Sequence, residues 1–234
     1  MIDDPTPLAN FSGTARLFPL PHLVLFPNVM QPLHIFEPRY RQMTADALAG
    51  DRLIAMALLQ PGWEGCYDGR PDIFPVACLG RIVAQQPLPE GRFNILLRGL
   101  SRVLIDQETC CNKLYRQARV QILDDACLPE EHAARRLRRK LVKLVPPWFA
   151  GQPAVLKQFR QLLRGQLSLS ALCDIISFVL PLDICEKQTL LEELNVEERC
   201  RHLLHCLETN EPPEAPAPPT KVAQRKFPPD FSSN

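Results

Sequence analysis

His34–Met43 reads HIFEPRYRQM. Ile35 and Phe36 close a strand-like apolar run, Glu37 and Pro38 follow, and Arg39, Tyr40 and Arg41 come next. Nothing in the stretch is a nucleophile, a metal box or a phosphate loop. Proline is tolerated at the first position of a helix, because its missing N–H would have no partner there. A carboxylate just before it complements the helix dipole. Beyond it, Tyr40, Met43, Thr44, Ala47 and Leu48 recur with helical spacing, and Gly50 is placed to end the helix as a C′ residue. The stretch predicts a strand, a corner and a helix. Phe36 and Tyr40 are expected to pack, and Glu37 to pair with an arginine across the corner; Phe36, Glu37, Arg39 and Tyr40 make up the signature corner.

Working outward, the flanking runs are short, apolar and broken by Pro and Asn. ARLFPL (15–20) is strand-like, and HLVLFPNVMQPLHIFE (22–37) continues in the same manner. DRLIAMALLQ (51–60) reads as a buried strand and IFPVACLGRIVAQQ (73–86) as another. RFNILLRGL and SRVLIDQE give two more, and LYRQARVQIL (114–123) closes the set. Proline inside such runs favours edges and corners over long central strands. Six or seven short strands with one inserted helix suggest a small antiparallel barrel or a pair of packed sheets.

After Asp124-Asp125 the apolar period changes from 2 to about 3.6. EEHAARRLRRKLVKLV (130–145) sets Leu137, Leu141, Leu144 and Val145 against a face carrying Arg135, Arg136, Arg138, Arg139, Lys140 and Lys143. Further helices follow, with Ser168, Asp183 and Asn195 at N-cap positions and Glu198 at the capping-box position. The expected organisation is a flexible arm (1–13), a β-rich domain (14–124), a helical bundle (128–208) and a disordered, Pro-rich tail (209–234). The fold class is α+β.

Composition excludes several functions. The 234-residue chain is long enough to bury roughly 70% of its unfolded surface without a disulfide scaffold. A net charge of +1 gives no overall bias toward nucleic acid or anionic lipid. The acidic, polar start predicts no signal peptide, and no window approaches the ~18 apolar residues of a membrane span, so a cytoplasmic protein is expected. P-loop, G-x-S-x-G and H-E-x-x-H motifs do not occur, and the paired carboxylates read as caps and solvated faces. No cofactor and no catalytic residues are expected. The nine cysteines are odd in number and read as reduced, mostly buried thiols. In CRHLLHC (200–206), His202 and Cys206 share a helical face, but no second ligand pair stands at a set spacing, so no metal site is expected. The loop PGWEGCYDGRPD (61–72) carries Trp63 and Tyr67, and Phe74 follows it. Aromatics on a loop suit a binding surface, and these three are the candidate peptide-binding residues.

A set of motifs now stands in a definite order: FPLP (18–21), LFP (25–27), PLHIFEPRYR (32–41), LGRI (79–82) and the G-R-x-N-x-L-x-x-G-x-x-R run from Gly91 to Arg102. This order closely resembles the N-terminal, substrate-binding domain of Lon proteases. The resemblance implies a PUA-like β-barrel, followed by the helical extension that SLSALCDIISFVL and the segments after it resemble. It covers about residues 14–208. The family's ATPase and Ser-Lys protease modules have no counterpart in the matched region, so none of its active-site residues carries over. A stand-alone recognition protein is expected. It would bind polypeptide substrates or a protein partner such as a protease or chaperone, as an adaptor or chaperone-like factor in quality control, without enzymatic activity.

Two rivals stand beside this expectation. PUA-like barrels include RNA-binding members, and the basic face at 135–143 would suit phosphate, although aromatic interleaving for base stacking is missing. A small ATP-independent peptidase would use Cys66 or Cys78 with His22 or His34.

Overall fold

The computed structural model describes residue 8 and residues 11–67, 69–110 and 112–212; most of the expected arm, Cys111 and the Pro-rich tail from 213 lie outside the described residues. One compact unit runs through Asp124 and a second begins at Asp125.

The described residues of the first unit form six strands: β1 (Thr14–Leu20), β2 (Met30–Ile35), β3 (Leu53–Leu58), β4 (Val76–Pro87), β5 (Phe93–Thr109) and β6 (Gln117–Leu123). Helix α1 (Pro38–Ala49) lies between β2 and β3 in the chain. Pairing runs β2-β5-β4-β3-β1-β6, and β6 pairs again with β5. The strands β5, β4, β3, β1 and β6 thus form a closed ring, with β2 alongside β5. The expectation of an antiparallel sheet needs one correction. β1 and β3 are parallel, with Leu17 opposite Ala55, which makes the sheet mixed. The chain between them, holding β2 and α1, supplies the long crossover that a parallel pair requires.

A ring of five strands leaves little room inside. Inward positions recur every second residue and are mostly small: Ala15 and Leu17, Ala55 and Ala57, Ala77 and Leu79, Val103, Ala118 and Val120. Leu8 and Phe11, which fall in the expected flexible arm, pack against this core. All six residues of β3 are buried, so this strand is covered on both faces.

The two strands expected over 92–108 are one 17-residue strand, β5. Its pairings with β4 and β6 carry register shifts at Leu79/Gly80, Ile82/Ala84 and Ile105/Gln107, which leave Leu100 and Asp106 of β5 and Val83 of β4 unpaired in the ladder. Gly99 is no turn residue; it permits a close approach. A Cβ there would lie 2.0 Å from the Phe26 carbonyl oxygen. With hydrogen in that place, the 26–29 turn rests on β5. The Asn28 N–H donates to the Gly99 carbonyl at 3.0 Å, and the Gly99 N–H donates to the Val29 carbonyl at 2.8 Å.

The opening corner forms as expected, with two corrections. Pro38 starts α1, and Tyr40, Met43, Thr44 and Ala47 are its buried face. Tyr40 packs on Phe18 at 4.4 Å between ring centroids and donates to the Pro19 carbonyl at 3.1 Å. Phe36 does not join it. Strand alternation turns Ile35 inward and leaves Phe36 42% exposed, stacked on the His34 ring. Gly50 is not left-handed; its φ is −121°. The left-handed position falls at Arg52 (φ 63°), whose N–H joins that of Gly50 on the Ala47 carbonyl.

The second unit is helical: α2 (Glu131–Leu144), α3 (Pro153–Arg164), α4 (Leu169–Val179), α5 (Ile184–Glu192) and α6 (Val196–Thr209). α6 packs against α2 and α4. Ser168, Asp183 and Asn195 accept the expected N-cap hydrogen bonds. The Asn195 N–H, however, donates to the Glu193 carboxylate at 2.7 Å, while Glu198 lies toward Arg201. The reciprocal acceptor thus comes from the chain before the helix. At the centre Arg199 is fully buried. It donates to Asp125 and to Ser170 at 2.8 Å each and to the Glu193 carbonyl at 3.0 Å, with Asp174 at 3.8 Å. The buried charge is therefore met by two carboxylates and two oxygen acceptors, as burial of a guanidinium demands. No helix among the described residues is long and apolar enough to cross a membrane.

Candidate functional site

The corner described above forms one wall of a groove of about 400 Å³ in the first unit. Its floor and walls come from the end of β1 (Phe18, Leu20), the following Pro21 and His22, and β2 (Gln31, Leu33, Ile35). Phe36, Glu37 and Tyr40 contribute from the corner, and Trp63 and Tyr67 from the 61–72 loop. This volume lies within the roughly 300–1,000 Å³ of ligand clefts, and the lining is largely apolar, as in such clefts.

The loop is held to the corner by a specific cluster. The Tyr67 hydroxyl donates to one Glu37 carboxylate oxygen at 3.0 Å. Arg39 donates from Nε to the other oxygen at 3.0 Å and from a terminal nitrogen to the Tyr67 carbonyl at 3.2 Å. Its guanidinium also lies 4.7 Å from the centres of both the Tyr40 and Tyr67 rings. Burial, and then the Glu37 carboxylate, push the Tyr67 phenol above its ordinary value, so it keeps its proton and donates. Tyr67 meets Trp63 edge-on at 5.6 Å, and Trp63 meets His22 edge-on at 5.6 Å. One aromatic row therefore runs from the corner to the β1–β2 connection, each ring braced by its neighbour. The row presents apolar faces with a few polar edges, and no group in it is positioned as a nucleophile.

Of the candidate residues, Trp63 and Tyr67 line the groove together with Phe36, Glu37 and Tyr40. Arg39 acts behind them through Glu37 and Tyr67. Phe74 is not among the lining residues; it is half-buried, and its N–H donates to the Leu58 carbonyl at 2.9 Å where the chain returns beside β3. Gln31 and Leu33 were missed, and His22 was considered only as a catalytic base. They come from segments distant from the loop in sequence, and no local signal marks them.

The rival assignments meet different surroundings. Cys78 is fully buried, and its thiol donates to the Leu79 carbonyl at 3.8 Å. The His34 ring pairs with the Asn94 side chain at 2.7 Å. Of the eight described cysteines, Cys66, Cys110, Cys127 and Cys185 are exposed, so the expectation of mostly buried thiols holds for only half. In the basic face of α2, Arg138 is occupied within the fold. It donates to the Leu163, Gly165 and Leu167 carbonyls and so closes the C-terminal end of α3. Arg135 pairs with Glu131 along the helix surface.

Comparison with known proteins agrees with this fold. Residues 14–209 match the family described as the ATP-dependent protease La (LON) substrate-binding domain. The Lon protease of Dictyoglomus thermophilum is 26% identical over 196 residues, 82% of this chain and 24% of that protein. Lon protease 2 of Herpetosiphon aurantiacus is 29% identical over 214 residues, 87% of this chain and 25% of that protein. The chain thus spans about a quarter of the length of these curated relatives. Among solved structures, the N-terminal domain of Mycobacterium avium complex Lon protease superposes with a TM-score of 0.67 at 16% identity, covering 85% of this chain and all of that one. A Lon N-terminal domain protein from Xanthomonas campestris gives 0.56 at 22% identity, covering 82% of this chain and 97% of that one. At these identities the structures establish a shared fold. With the family match extending over most of its length, the chain belongs to the Lon substrate-binding domain family.

Proposed function

We propose that this protein is a non-catalytic polypeptide-recognition module of the cytoplasm, serving as an adaptor or chaperone-like factor in protein quality control. The observation that carries the reading is the aromatic-walled groove beside β2. In the strand order β2 is terminal and, among the described residues, pairs with β5 alone. An extended peptide can lie along its outer edge, with main-chain hydrogen bonds to the strand and alternate apolar side chains seated against Trp63 and Tyr67. Pro32 removes one donor from that edge, which limits uncontrolled strand addition. Recognition would then depend on extended conformation and apolar character more than on a single sequence.

The test is fluorescence polarisation with labelled apolar peptides, comparing the intact protein with Trp63→Ala and Tyr67→Ala. Both side chains are only half-buried, so circular dichroism is expected to show folded variants. A hot-spot aromatic contributes about 2 kcal/mol or more, so each change should weaken binding roughly 30-fold. Affinity unchanged in both folded variants would show that the groove is not the binding site.

A further inference from the structure

The second unit carries a cluster with different chemistry. Glu186 lies in the first turn of α5, and His202 and Cys206 stand one turn apart on α6. One ligand atom from each of the three lies within 4.8 Å of the others. His202 Nε2 is 2.8 Å from a Glu186 carboxylate oxygen, and Cys206 Sγ is 3.6 Å from that same oxygen. We infer that Glu186, His202 and Cys206 form a three-ligand site for a divalent zinc-like cation, whose fourth position faces solvent.

Four features support this. Thiolate, imidazole and carboxylate are the donor types that zinc selects, and three protein ligands with one open position form a recurrent arrangement. Tetrahedral bonds to such donors place ligand atoms ~3.4 Å apart. The Cys206–Glu186 separation of 3.6 Å is already near that value, the His202–Glu186 separation of 2.8 Å opens by about 0.6 Å to reach it, and the His202–Cys206 separation is no more than 4.8 Å. Charge also balances: a dication, the Glu186 carboxylate, a Cys206 thiolate, a neutral His202 and one water sum to zero. The thiol proton leaves to solvent on binding. Finally, the three side chains border a cavity of about 600 Å³ that also holds Trp148, with room for the water or for one more donor. Exposure is graded across the site. Cys206 is 4% exposed, while the His202 and Glu186 side chains are 30% and 48% exposed, so the soft ligand lies deepest. A bound cation would tie α5 to α6.

The simpler alternative is a hydrogen-bonded triad that holds no metal, and cobalt separates the two. The reduced full-length chain, freed of metal by chelator and dialysis, is titrated with Co²⁺ and then with Zn²⁺. The expected result is one equivalent of Co²⁺ bound with tetrahedral visible bands and a thiolate charge-transfer band in the near ultraviolet, displaced by Zn²⁺. His202→Gln and Glu186→Gln alter side chains that are partly and largely open to solvent and should remain folded. Each is expected to weaken binding by more than the roughly 10–100-fold that loss of a supporting partner costs, and Cys206→Ser should abolish the charge-transfer band. No cobalt uptake would overturn the proposal. So would a spectrum and affinity unchanged in His202→Gln, which would assign the metal to other cysteines of the chain.

Discussion

Replacing Arg39 by alanine tests whether the corner holds the aromatic loop. Its side chain makes three kinds of contact that the substitution removes together. The ion pair with Glu37 is partly exposed (20% and 23%) and contributes at most about 1 kcal/mol. The hydrogen bond to the Tyr67 carbonyl adds about 1 kcal/mol. The two ring contacts add about 0.5–1 kcal/mol each. These share one side chain and do not sum simply, so a local loss of about 2 kcal/mol is expected. That corresponds to roughly 30-fold faster opening of the loop. The readout is amide hydrogen exchange over residues 61–70, where the Cys66 and Gly69 N–H groups donate to the Trp63 and Cys66 carbonyls. Arg41→Ala is the control, because Arg41 donates instead to the Glu90 carbonyl. Exchange in the loop should rise in Arg39→Ala and not in Arg41→Ala, with the strands unchanged in both. Equal loop protection in all three proteins would refute the idea that this cluster fixes Trp63 and Tyr67.

Gly99→Ala sets a methyl against the Phe26 carbonyl and should destabilise the first unit by about 1–3 kcal/mol or more, read as a lower urea midpoint; an unchanged midpoint would mean the 26–29 turn moves aside at no cost. Arg199→Met takes the guanidinium from beside Asp125 and Asp174 and should cost the helical unit about 3–5 kcal/mol, read from helical ellipticity during denaturation. Retention of wild-type stability would show that the carboxylates are satisfied without it. The Asp46 carboxyl is held below its ordinary 3.8 by hydrogen bonds from Lys113 and Tyr115. A depressed folded value stabilises above the unfolded value, and that contribution is lost as pH falls through the folded one. Asp46→Asn should therefore flatten the loss of thermal stability as pH falls below the ordinary value of 3.8, and parallel acid limbs in the two proteins would contradict this.

Much of the architecture was legible because it rests on local patterns. Alternation identified the strands, the Glu37-Pro38 step identified the corner, and side-chain oxygens at Ser168, Asp183 and Asn195 marked three helix starts. What escaped depends on residues far apart in the chain. Gly99 within RGLSR reads as a break, because no local signal shows that a distant carbonyl presses on it. The parallel β1–β3 pair has no signature in either strand. Phe36 reads as core by its composition, and only the true phase of the alternation turns it outward. In the groove, Trp63 and Tyr67 could be noticed as aromatics on a loop. The bond from Tyr67 to Glu37 spans 30 residues and follows from the folded ring alone. Glu186 likewise has no spacing relation to His202 and Cys206 until α5 folds against α6.

The closed ring has a consequence for the order in which the protein can be made. Of the six strands β1 leaves the ribosome first and β6 last, yet they are neighbours, with Ala15 opposite Ala118. Until Leu123 has emerged, β1 has no partner on that side, and its apolar residues Leu17 and Phe18 wait beside an open backbone edge. Contacts of such long sequence separation form slowly, and nascent chains with unpaired edges are the ones prone to adhere to one another. If the proposed capture of exposed polypeptide holds, the chain spends its own synthesis in the condition of its clients.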